Sequence, residues 1–86
     1  MNRLNDEAIR LAAMESIRSL IGRPLREGET LISSGLIDSL SVLRLISDLE
    51  KRLTIRIHAG ALQPDDFDDI DLIVGTVHRA ARPLEN

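Results

Sequence analysis

From Ser39 to Leu53 the apolar residues return at the spacing of one helix face, and that periodicity limits the segment to an α-helix. Advancing about 100° per residue from Ser39, Val42, Leu45, Ile46, Leu49 and Leu53 gather on one side, which must face a core. Leu40, Leu43, Arg44, Ser47, Glu50 and Lys51 fall on the other side, with Ser39 at its N-terminal edge. One outward leucine is ordinary, but two beside an exposed serine make a small apolar spot on which a partner can dock.

The remaining elements follow from caps and breakers. Asn5 and Asp6 are N-cap candidates for a first helix over about 6–21, whose stripe is Ile9, Ala13, Ser16, Ile17 and Leu20, with Ile21 at its margin. Asp6 and Arg10 are spaced for a weak i,i+4 pair. Gly22 and Pro24 end the helix. The loop over 22–38 is longer than the roughly 12–15 residues usual in a compact domain. Its Leu25, Leu31, Ile32, Leu36 and Ile37 are too many aliphatics for disorder, so it is expected to lie packed across the helices.

Helix two spans about 39–53, with Asp48 spaced to pair with Lys51 or Arg52. Thr54 to His58 alternates like a strand, but no second strand pattern offers a partner. That stretch is expected to be an extended connector whose Ile55 and Ile57 plug the core. Pro64 starts a short third helix over about 64–68, with Gln63 a poor cap and Phe67 pointing inward. Asp69 caps a fourth helix, about 70–81, with Ile70, Ile73, Val74, Val77, Ala80 and Ala81 in one stripe. Arg79 and Arg82 suit its negative end, and Pro83 stops it. The expectation is one domain over 1–86, an all-α four-helix bundle of three main helices and a short third.

Composition excludes several function classes. A chain of 86 residues buries only about 60% of its unfolded surface and has little room for an internal active site. With no cysteine there is no disulfide framework, thiolate zinc site or cysteine nucleophile, and any thiol must come from a cofactor. A net charge of -3 argues against nucleic acid as a partner. No apolar run approaches the roughly 18 residues of a membrane span, and the N-terminus has no apolar stretch of the signal-peptide kind. A cytoplasmic monomer is therefore expected. Phe67 is the sole aromatic residue, so aliphatic side chains must build the core. The acidic run Asp65-Asp66-Phe67-Asp68-Asp69-Ile70-Asp71 fits no EF-hand register, lacking the sixth-position glycine and twelfth-position glutamate. It reads as helix-start acids, and no metal site is assigned.

The segment Ser34-Gly35-Leu36-Ile37-Asp38-Ser39-Leu40, with the helix behind it, resembles the phosphopantetheine-attachment site of acyl and peptidyl carrier proteins. Chain length and element order extend the resemblance over nearly the whole sequence. It implies an acyl-carrier-protein-like bundle in which a phosphopantetheinyl transferase places 4'-phosphopantetheine on Ser39. Asp38 would help recruit that transferase and its magnesium ion. An acyl or aminoacyl group would then be carried as a thioester, loaded by a ligase and passed to downstream transferases. The chain itself would catalyse nothing. Leu40 and Leu43 would form the apolar part of the docking face, with Arg44, Ser47, Glu50 and Lys51 around them.

Two departures refine this expectation. Fatty-acid carriers typically present an acidic second helix, whereas this face carries Arg44 and Lys51 beside the acids Asp48 and Glu50. Gly35 and Asp38 are also separated by two residues, a spacing similar to D-alanyl carriers and other stand-alone carriers of secondary metabolism. An amino acid or a specialised acyl group is the favoured cargo. Two rivals remain: a helical adaptor using the Leu40/Leu43 face without modification, and a serine hydrolase pairing Ser39 with His58 or His78. The hydrolase lacks a nucleophile elbow and a chain long enough for the usual scaffold.

Overall fold

The computed structural model describes residues 4–58, 60 and 62–83. Along the chain these form α1 (Asp6–Ile21), α2 (Ser39–Leu53), β1 (Ile55–Ile57), a single 3-10 turn (Pro64–Phe67), α3 (Ile70–Ala80) and β2 (Ala81–Pro83). The architecture is mostly helical, three α-helices with a small two-stranded sheet, and α1 packs on both α2 and α3. No helix among the described residues is long and apolar enough to cross a membrane.

Each α-helix starts on a side chain that satisfies an otherwise orphaned N–H. Asn5 Oδ1 accepts from Ala8 N–H at 2.7 Å, Asp38 Oδ1 from Ser41 at 2.9 Å and Asp69 Oδ1 from Leu72 at 2.8 Å. Of the two candidates before α1, Asn5 is therefore the cap. Gly22 ends that helix in the left-handed region at φ 82°, its N–H returning to the Arg18 carbonyl at 2.9 Å. Thr54 does the same for α2 at φ 54°, a costly conformation for a β-branched residue, and turns the chain directly into β1.

The expected stripes meet in one core. Ile9, Ala13 and Ile17 of α1, Val42, Leu45, Ile46 and Leu49 of α2, and Ile73, Val74 and Val77 of α3 are buried. Leu31 and Ile37 from the first loop, Ile55 and Ile57, and fully buried Phe67 complete it. The buried hydroxyls are paired: Ser16 donates to Asp48 Oδ2 at 2.5 Å and Thr76 to the Asp66 carbonyl at 3.0 Å.

Three expectations are corrected. Thr54 to His58 is no unpaired connector, because Ile55–Ile57 pairs antiparallel with Ala81–Pro83 in the register Ile55↔Pro83, Arg56↔Arg82 and Ile57↔Ala81. The partner strand starts at Ala81, the last residue of the range expected for the fourth helix. Pro83 disfavours the helical conformation at Arg82 before it, so the chain leaves α3 extended from Ala81 onward, and the helix ends at Ala80. The short third helix lies where expected, Pro64–Phe67, but it is a 3-10 helix, and with the two-stranded sheet the fold is neither purely helical nor built of four α-helices. The pair Asp6–Arg10 does not form. Asp6 instead meets His78 Nε2 at 2.5 Å and Arg10 meets Asp71 at 2.9 Å, both fastening α1 to α3.

Phe67→Ala is expected to cost about 3–5 kcal/mol in a urea unfolding experiment, because the vacated volume lies in a core of aliphatics with no other ring to fill it. Leu43→Ala, on the solvent side of α2, should change stability by less than about 0.5 kcal/mol.

Candidate functional site

Ser39 sits where a long loop hands over to α2, so its presentation depends on how that loop is held. Two carboxylates do the holding. Glu29 takes two hydrogen bonds from the Arg23 guanidinium, at 2.9 and 2.5 Å, and one from the Arg26 N–H at 2.9 Å. Asp68, just after the 3-10 turn, receives the Ile32 N–H at 2.7 Å and the Ser33 N–H at 2.9 Å on Oδ1, and the Ser33 hydroxyl on Oδ2. Its carbonyl also accepts from Leu31 N–H at 2.7 Å. The loop folds back on itself after this anchor, with Gly35 at φ 78° and the Ile37 N–H donating to the Leu31 carbonyl at 2.9 Å. Buried Leu31 and Ile37 plug the core on either side of the turn, as the loop's aliphatic content predicts.

Asp38 follows in an extended conformation and caps α2, its carbonyl accepting from Val42 N–H at 3.1 Å. Hydrogen bonds from the Ser41 N–H and then the Ser41 hydroxyl hold its carboxyl below the usual range, so it is a carboxylate at neutral pH. Ser39 is the first helical residue and is exposed, and among the described residues its hydroxyl has no hydrogen-bond partner. The first N–H groups of α2 and its macrodipole place partial positive charge at this end, which favours a phosphate there.

The rest of the expected face is largely brought together. Leu40 is 72% and Leu43 57% exposed, and Arg44, Ser47 and Lys51 also face solvent. Glu50 is different. It is half-buried, and its carboxylate accepts the Ile57 N–H at 2.7 Å, so it ties α2 to β1. Asp48 turns toward α1, bonded to Ser16 and at 2.6 Å to Arg52, which is the pairing the spacing allowed.

No histidine joins the serine. His78 is engaged with Asp6 across α1 and α3, His58 is exposed just past β1, and neither hydrogen-bonds Ser39. Four of the five acids of the run have structural roles: Asp66 accepts from Gln63 N–H at 2.9 Å, Asp68 anchors the loop, Asp69 caps α3 and Asp71 pairs with Arg10. Among the described residues no group of three or more His, Cys, Asp or Glu is placed to hold a metal ion. A cleft of about 490 Å³ opens between α1, the first loop and the start of α3, but Ser39 is not in its walls. Ser39 is presented outward.

The chain matches no family model, no curated protein and no solved structure.

Sequence reasoning missed the anchoring roles of Asp68 and of the Arg23–Glu29 clasp. Asp68 looked like one more helix-start acid, although only Asp69 stands at the N-cap position of α3. No signal in the sequence ties Glu29 to Arg23 rather than to Arg26.

The anchor is testable by pH. Arg23, and then the Arg26 N–H, lower the Glu29 pKa from 4.5 to about 2, and the Ser33 hydroxyl and N–H depress that of Asp68. Both carboxylates therefore add stability above their unfolded pKa values of about 4, and that stability is lost as pH falls through the lower folded values. Amide spectra should keep the Arg26, Ile32 and Ser33 signals in place from pH 7 to about 4 and lose their dispersion toward pH 2. Asp68→Ala should speed hydrogen exchange at Ile32 and Ser33 by roughly tenfold at neutral pH, while the amides of α1 stay protected.

Proposed function

We propose that this chain is a carrier protein with an acyl-carrier-like bundle, carrying 4'-phosphopantetheine on Ser39. What supports the reading most is a single arrangement: an exposed serine with an unpartnered hydroxyl at the first position of an amphipathic helix, directly behind an aspartate cap and an anchored loop. Carrier chemistry asks for these things. The acceptor hydroxyl must be open to a phosphopantetheinyl transferase, and it must not be committed to holding the fold. A phosphodiester at that hydroxyl gains from the helix end, at the cost of repulsion from the Asp38 carboxylate.

When attached, the cofactor supplies the thiol that a chain without cysteine lacks. The residues of this chain do the rest. Ser39 tethers, Asp38 fixes the helix start and offers a carboxylate to the transferase, and Leu40 and Leu43 give the enzymes that visit the arm an apolar foothold. Such contacts suit brief encounters with several partners because they are small. The Gly35-to-Asp38 spacing and the cationic side chains Arg44 and Lys51 favour an aminoacyl or specialised acyl cargo.

The exposed leucine pair also supports a second reading, an adaptor that docks through α2 without modification. The two separate in one experiment. Incubation with coenzyme A, magnesium and a broad-specificity phosphopantetheinyl transferase should add one phosphopantetheinyl group by intact mass, and Ser39→Ala should add none while unfolding within about 0.5 kcal/mol of the parent. No gain with several transferases would overturn the carrier reading and leave the adaptor.

A further inference from the structure

The two acids that the sequence places on α2 beside the expected docking side are both engaged by hydrogen bonds within the protein, although neither is buried and Glu50 keeps its charge. Glu50 is turned to the Ile57 N–H and Asp48 to Ser16 and Arg52. The cations are not spent. Arg44 and Lys51 are exposed on the side of Leu40 and Leu43, and neither enters an ion pair among the described residues. Arg56, exposed on β1, joins Lys51, Ser47 and Glu50 in the walls of a shallow groove beside the C-terminal half of α2, where two cations meet one acid. An acidic protein thus shows exposed cations beside Leu40 and Leu43, the two most exposed large apolar side chains of α2.

We propose that this face docks on a partner protein whose apolar contact surface is rimmed by carboxylates. The inference deepens the carrier reading and rests on it for what the contact accomplishes, but the charge pattern itself does not depend on modification of Ser39. Leu40 and Leu43 supply the apolar contact, and Arg44 with Lys51 supply steering and rejection of wrong partners. A partner rimmed by lysine and arginine, the kind that suits an acidic second helix, would be repelled. The charge pattern also has a direction. Asp38 puts a negative charge at the N-terminal end, so an acidic rim is favoured beside the second and later turns of α2 and disfavoured beside Ser39. Exposed charge pairs are individually weak, which keeps the contact transient.

The test uses the unmodified full chain, labelled with nitrogen-15, and two synthetic amphipathic helical peptides with one leucine pattern. One carries glutamates around its leucines and the other lysines at the same positions. The glutamate peptide should bind about fivefold to tenfold more tightly, shift the amides of Leu40, Leu43, Arg44, Ser47 and Lys51, and weaken with added salt. A variant with both Arg44→Glu and Lys51→Glu should invert the preference. Equal affinities, tighter binding of the lysine peptide, shifts centred on another surface, or no binding by either peptide would overturn the inference. Those outcomes leave phosphopantetheinylation of Ser39 untouched, and a Ser39 that accepts no cofactor leaves the peptide preference measurable, so the two failures are distinct.

Discussion

The carboxylate of Asp68 reaches across from the start of α3 to the first loop and collects two backbone N–H groups and a hydroxyl there. A loop this long carries many backbone donors and acceptors that no helix or strand satisfies, and ordering it costs conformational entropy at every residue. The anchor at Asp68, with Leu31 and Ile37 sunk into the core beside it, makes a single arrangement preferable to many. Ser39 inherits its place from that choice. Without the anchor the loop's end would be free to wander, and the Asp38 cap would have to define the start of α2 alone.

Charge is used with economy elsewhere. Of the acids that look available for function, Glu29 and Asp68 hold the loop, Asp48 and Glu50 hold α2 against α1 and β1, and Asp38 and Asp69 begin helices. An acid paired with a cation, as Asp48 is with Arg52, adds little net charge to the surface around it. The exposed side of α2 beyond its first turn, with Arg44 and Lys51, is therefore more basic than the formal charge of -3 implies. Net charge describes the whole chain, while partners meet one face of it.

The helices were legible because their signals are local. Apolar spacing and capping residues place α1, α2 and α3 to within a residue or so, and the buried stripes of Ile9 to Ile17 and Val42 to Leu49 follow directly. The candidate site was legible for the same reason, since Asp38, Ser39 and the outward leucines lie within one helix start. What stayed hidden was non-local. A three-residue strand has too few residues to announce itself, and β2 begins directly after the last residue of α3. Glu50 shows the limit most clearly: its wheel position puts it near the docking side, but the chain turns back through Thr54 and brings the Ile57 N–H to its carboxylate. The Asp68 anchor spans more than thirty residues of sequence, and no pattern within either segment encodes it.

Carriage on Ser39 is tested most directly on protein isolated from the cells that make it. Trypsin releases residues 27–44 as one peptide, which holds Ser33, Ser34, Ser39 and Ser41. Tandem mass spectrometry of that peptide should find phosphopantetheine on Ser39 and on none of the other three. An unmodified peptide throughout, or a modification that maps to Ser33, Ser34 or Ser41, would contradict the carrier function and the site assigned to it.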